Sequence, residues 1–188
     1  MNLRSASVHK NDFGEGNNEL SDIVGHIELS NNEHFSLDEL QLIKTHLSPP
    51  DMTSKTIYIV RDGRAAIVSM WHYYNKEAPL DVFVKGDQLR FPTWSNHILS
   101  WDPFNRPNTL FLKYEDLLTK FEDSLKRISI FLDAPIVSYD LPARQSIAQK
   151  DGRWVRKKSN WKKELKGKNL KQFNRNNSLM LRKLGYIS

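Results

Sequence analysis

The chain has 188 residues, 39% of them hydrophobic and 27% charged, with a net charge of +6 and no cysteine. That length suits one domain able to bury roughly two-thirds of the surface its unfolded chain exposes, and the lack of cysteine excludes disulfides, thiolate metal sites and cysteine nucleophiles. No stretch approaches the roughly 20 apolar residues of a membrane span, and Met1-Asn2-Leu3-Arg4-Ser5 lacks an apolar signal core, so a cytoplasmic setting without a membrane partner is expected.

Residues 1–37 are polar, with turn-prone clusters at Gly16-Asn17-Asn18-Glu19 and Ser30-Asn31-Asn32-Glu33, and read as mostly loop. From 38 to 188 the texture is that of an α/β core with a basic C-terminal segment. Leu40 to His46 reads as a short strand stopped by Ser48-Pro49-Pro50. Thr56-Ile57-Tyr58-Ile59-Val60 is a continuous β-prone run, the pattern of a parallel strand covered on both faces. Ala65 to Tyr74 is apolar nearly all round and predicts a buried helix.

Thr109-Leu110-Phe111-Leu112 is a second such strand, and Leu117, Leu118, Phe121, Leu125, Ile128 and Leu132 follow at helical spacing. A last helix is predicted over about 170–184, closed by Gly185. Strands and helices in alternation indicate an α/β domain with a parallel sheet. Such sheets bind ligands beyond the carboxyl ends of their strands. His46, Arg61 and Tyr114 all lie there.

Arg61 follows a strand and precedes a helix start, so its guanidinium and backbone N–H groups suit an oxyanion such as phosphate. Ser69 is the polar residue of an apolar helix and needs a partner. A ligand, or the carbonyl four residues earlier, would serve. A histidine after a strand, such as His46, can likewise be structural or a general base, since imidazole titrates near neutral pH. Between Lys150 and Arg175 stand eleven Lys and Arg opposed only by Asp151 and Glu164, a face for polyanions or for water.

The segment Lys55 to Tyr74 resembles the 3′-phosphate-binding segment of the sulfotransferases, which carries an Arg after the strand and a Ser eight positions later. Arg61 and Ser69 take those positions, while the family's usual proline and aspartate are Gly63 and Ala65. Ile43-Lys44-Thr45-His46-Leu47 is similar to the family's Lys-Thr-His-Leu stretch, and Lys113-Tyr114-Glu115-Asp116-Leu117 to its Tyr-Glu-Asp-Leu. Trp94 to Trp101, with His97 between, resembles a scaffold segment of many members. Val155 to Lys162 resembles a shortened form of the loop that closes over the 3′-phosphate.

The resemblance implies a three-layer α/β fold of the P-loop NTPase type, one domain over 1–188, and sulfuryl transfer from the donor PAPS to a hydroxyl or amine of a small-molecule or glycan acceptor. It implies His46 as base and Lys44 beside the transferring group. Arg61, Ser69, Arg156 and Lys157 would hold the 3′-phosphate, with Arg153 as a substitute, and Tyr114 would pack on the adenine. No metal is implied. Glu115 and Asp116 read as helix-start acids.

No Lys-bearing phosphate-cradling loop precedes these motifs, and Leu3-Arg4-Ser5-Ala6 resembles the helix that follows that loop in the family. The fold is therefore expected to start one element late. Weak or absent catalysis by this chain is expected, because charge grows on the leaving phosphate during transfer. A non-catalytic 3′-phosphoadenosine-binding protein is the alternative. A nucleic-acid module stacking bases on Trp154 and Trp161 would leave His46 and the Arg61/Ser69 pair unexplained.

Overall fold

A computed structural model describes residues 4–7, 26–28, 41–46, 48–49, 54–74, 77–86, 92–150 and 160–188. It divides into two compact units, one of residues 1–46 with 134–157, the other of 47–133 with 158–188. In the first unit, β1 (Arg4–Ser7), β2 (His26–Glu28) and β3 (Gln41–Lys44) form a sheet in the order β2-β1-β3. Every pairing in it is parallel, with Ser5 opposite His26 and Ser7 opposite Lys44. The β3 strand ends at Lys44, so His46 stands two residues past a strand end.

The second unit is built on β4 (Thr56–Val60) and β5 (Thr109–Lys113), paired in parallel from Thr56 opposite Thr109 to Val60 opposite Lys113. A parallel pair needs a crossover. Here it runs through α1 (Gly63–Tyr73), α2 (Leu80–Lys85) and α3 (Trp94–Trp101). The chain continues through α4 (Tyr114–Thr119) and α5 (Phe121–Leu132) and then, in the other unit, α6 (Arg144–Lys150). It returns for α7 (Trp161–Glu164), α8 (Gly167–Asn176) and α9 (Ser178–Lys183).

Two apolar clusters hold this unit. Tyr58 and Val60 of β4 pack with Ile98 and Trp101 of α3 and with Met180 and Leu184 at the end of the chain. Ile67 and Val68 of α1 pack with Leu80, Phe83 and Val84 of α2 and with Leu165, Phe173 and Leu181. The last helices therefore supply core to both the strand and the helix that flank Arg61. Among the described residues, no helix is long and apolar enough to cross a membrane.

The α/β class with parallel strands is as the sequence indicates, and β4 has the predicted bounds. Five local differences stand out. Arg4–Ser7 is a strand rather than the helix its resemblance suggests, and His26–Glu28 is a second strand inside a stretch read as loop. Both are too short for their own periodicity to show. The β4 strand is covered on one face only, with Tyr58 and Val60 buried and Ile59 51% exposed. The helix after β5 is broken at Lys120, which leaves helical dihedrals (φ −133°, ψ 50°).

The fifth difference is at the C-terminus, where the predicted helix is two helices broken at Asn177. That residue is buried, its Nδ2 donates to the Phe173 carbonyl at 2.8 Å, and its Oδ1 accepts from Ser95 Oγ at 2.6 Å. Asn177 N still donates to the Phe173 carbonyl and Leu181 N to the Asn177 carbonyl, so the break lies in its backbone dihedrals (φ −119°, ψ 13°).

Candidate functional site

The register of β4 and β5 sets the site. Val60 stands opposite Lys113, so the next residues, Arg61 and Tyr114, leave their strands side by side, and Asp62 follows beside Glu115. The Arg61 guanidinium lies over the Tyr114 ring, 4.9 Å from its centroid. A cation over an aromatic face is attracted by the ring quadrupole.

Asp62 begins α1. Its carbonyl accepts the first helical bond from Ala66 N at 2.9 Å, and its side chain caps Arg64 N at 3.0 Å. The same carboxylate takes both arms of the Arg64 fork, at 2.9 and 2.8 Å. Arg64 also donates to the Tyr186 carbonyl at 2.9 Å and covers the Trp161 ring at 4.4 Å. Arg64 is thus consumed by structure.

Arg61 is not. Half-buried, its side chain makes no hydrogen bond or ion pair with any described residue, although a guanidinium carries five donors. Ser69 lies two turns into α1, also half-buried, and its hydroxyl has no hydrogen bond to a described residue. The back-bond to the carbonyl of residue 65 is not made. Both groups are free to take an anion.

The backbone donors expected at this turn are less available. Glu115 Oε1 accepts from Asp62 N at 3.0 Å, and Arg64 N is already capped. Sequence reasoning assigned Glu115 to helix-start chemistry and so missed this contact. Its other oxygen, Oε2, accepts from the Tyr186 hydroxyl at 2.9 Å. Burial first, and then Glu115, push the Tyr186 phenol well above its ordinary range. The strand register was the signal that could have found the pair, because it carries Asp62 to Glu115.

Trp94 closes the turn from beneath. Its indole Nε1 donates to the Arg61 carbonyl at 3.0 Å. A Cβ on Gly63 would come within 2.5 Å of the Trp94 ring and 2.9 Å of Phe173. A glycine where the resemblance expects proline therefore has a local cause. Ala65, where the resemblance expects aspartate, is buried.

Lys44 and His46 lie in the other unit, both exposed, at and just after the end of β3. Arg153, Arg156 and Lys157 lie outside the described residues. The structure therefore brings Arg61 together with Tyr114 and sets Ser69 on the helix that Arg61 leads into.

The family model for the sulfotransferase domain matches residues 5–180. The chain belongs to the sulfotransferase domain family. Cytosolic sulfotransferase 10 of Arabidopsis thaliana is 31% identical over 119 residues, covering 54% of this chain and 33% of the relative. Cytosolic sulfotransferase 3 of the same plant is 31% identical over 137 residues, covering 61% of this chain and 43% of the relative. Sulfotransferase 2B1 of Mus musculus is 35% identical over 95 residues, covering 44% and 28%.

The matched stretches thus span less than half the length of these relatives. A solved structure of mouse sulfotransferase SULT7A1, complexed with PAP, superposes with a TM-score of 0.62. It is 21% identical, and the match covers 96% of this chain and 83% of that one, a likeness of fold.

Proposed function

We propose that this sulfotransferase-family chain binds the 3′-phosphoadenosine end of PAPS and takes part in sulfuryl transfer to a hydroxyl or amine of a small-molecule or glycan acceptor. The observation that carries the reading is Arg61. A half-buried guanidinium stacked on Tyr114, with no carboxylate partner among the described residues, is chemically suited to a phosphorylated nucleoside.

In this reading Arg61 and Ser69 hold the 3′-phosphate, and Tyr114 offers its ring to the adenine. Arg156 and Lys157, or Arg153, add charge from the basic segment. Bound PAPS supplies the activated sulfuryl group. His46 takes the proton of the acceptor as its oxygen or nitrogen bonds to sulfur, and Lys44 offsets negative charge on the departing phosphate oxygen. The 188 residues are read as one domain working in the cytoplasm, as the names of the Arabidopsis relatives suggest for those proteins.

Calorimetric titration with adenosine 3′,5′-bisphosphate tests it. Wild type should bind, and Arg61→Ala should lose about ten- to a hundredfold, the scale of hydrogen bonds to a charged group. Binding of a single-stranded oligonucleotide unaffected by Arg61→Ala, with no bisphosphate binding, would favour the nucleic-acid reading instead.

A further inference from the structure

Trp94 and Glu115 grip the same peptide bond. Trp94 Nε1 donates to the carbonyl of Arg61, and Glu115 Oε1 accepts from the N–H of Asp62. Those two groups belong to one planar unit and point in opposite directions from it. Rotating that peptide would break both bonds at once. We propose that Trp94 and Glu115 are positioning residues for the 3′-phosphate site, locking the Arg61–Asp62 peptide and with it the placement of Arg61 relative to Ser69.

The geometry gives this lock something to do. Arg61 ends the strand, and Ser69 rides on the helix. The dihedral angles on either side of the 61–62 peptide decide how strand and helix meet. Among the described residues the Arg61 guanidinium has no hydrogen bond to hold it and rests on the Tyr114 ring. Gly63 lets the Trp94 ring come close enough to reach the Arg61 carbonyl, which any side chain at 63 would obstruct.

Glu115 is an odd choice beside an anion site, since a free carboxylate there would repel phosphate. Its charge is engaged on both oxygens, by Asp62 N–H and by the Tyr186 hydroxyl. What the lock needs from position 115 is an acceptor, not a charge. Glutamine supplies one and alanine does not.

This inference rests on the nucleotide reading above, and its test separates the two. Wild type, Arg61→Ala, Trp94→Phe, Glu115→Ala and Glu115→Gln are titrated with adenosine 3′,5′-bisphosphate and with adenosine 5′-monophosphate. The ratio of affinities isolates the 3′-phosphate. Trp94→Phe and Glu115→Ala should each reduce that ratio about three- to tenfold, the loss of one hydrogen bond's worth of placement. Glu115→Gln should retain it within about twofold.

A merely structural role would lower both affinities together and leave the ratio unchanged, and that result overturns the proposal. Exchange of the Asp62 amide proton, followed by NMR in the nucleotide-free protein, reads the lock directly. The amide should be protected in wild type and Glu115→Gln, and exposed in Glu115→Ala. If Arg61→Ala leaves nucleotide binding unaltered, the nucleotide reading falls, and the Asp62 amide still decides whether the lock exists. An unprotected Asp62 amide in wild type overturns the lock itself.

Discussion

Arg61 and Arg64 are three residues apart and chemically identical, yet one is spent and the other is available. The difference is Asp62, whose carboxylate caps the helix and takes both arms of the Arg64 fork in a pair only 11% and 13% exposed. Gly63 between them is the tightest point of the turn. Gly63→Ala should cost about 1–3 kcal/mol, the range for overpacking a filled site. A lowered thermal midpoint checks it, and an unchanged one would show that Trp94 and Phe173 can yield. The motif spacing of Arg61 and Ser69 was legible in the sequence. Nothing in the sequence told which arginine carried a partner, because that depends on Asp62 and on Tyr186, 122 positions from Arg64.

At the scale of elements, α8 and α9 decide more than their position at the end of the chain suggests. Phe173 of α8 lies under Gly63, and the chain just past α9 meets Arg64 and Glu115 through Tyr186. Asn177 stands at the junction of the two helices. Asn177→Ala should destabilise by about 1–3 kcal/mol, because Ser95 Oγ and the Phe173 carbonyl lose a buried partner. Urea denaturation reads the shift. A periodicity running through 170–184 could not foretell this break, since the buried Asn177 side chain bonds to Ser95 on a distant helix. The β4 and β5 strands were visible because their apolar runs are local and continuous. The β1 and β2 strands were not, because three or four residues gain their ladder only from neighbours far along the chain.

For the molecule as a whole, two phenols raised above their ordinary range contribute to its response to alkali. Burial raises Tyr58, whose hydroxyl is hydrogen-bonded to His97 Nδ1 at 2.8 Å, and burial with Glu115 raises Tyr186, both from an ordinary 10.0. Below that pH, folded and unfolded chains both keep these protons. Above it the unfolded chain releases them while the fold retains them, so stability falls as pH rises through about 10. The slope of stability against pH should flatten in Tyr58→Phe and again in Tyr186→Phe, and an unchanged slope would assign alkaline loss to other groups.

The sequence by itself determined the family, the parallel α/β class and the ordered positions of Lys44, His46, Arg61, Ser69 and Tyr114. Those follow from short runs of residues and their spacing, which a chain carries wherever it folds. Only the tertiary structure decided that the Arg61 side chain has no hydrogen-bond partner among the described residues, that Arg64 has one, and that Trp94 and Glu115 close on one peptide. Hydrogen bonds between residues 33 and 53 positions apart exist only once the β4–β5 register and the Gly63 contact bring them together.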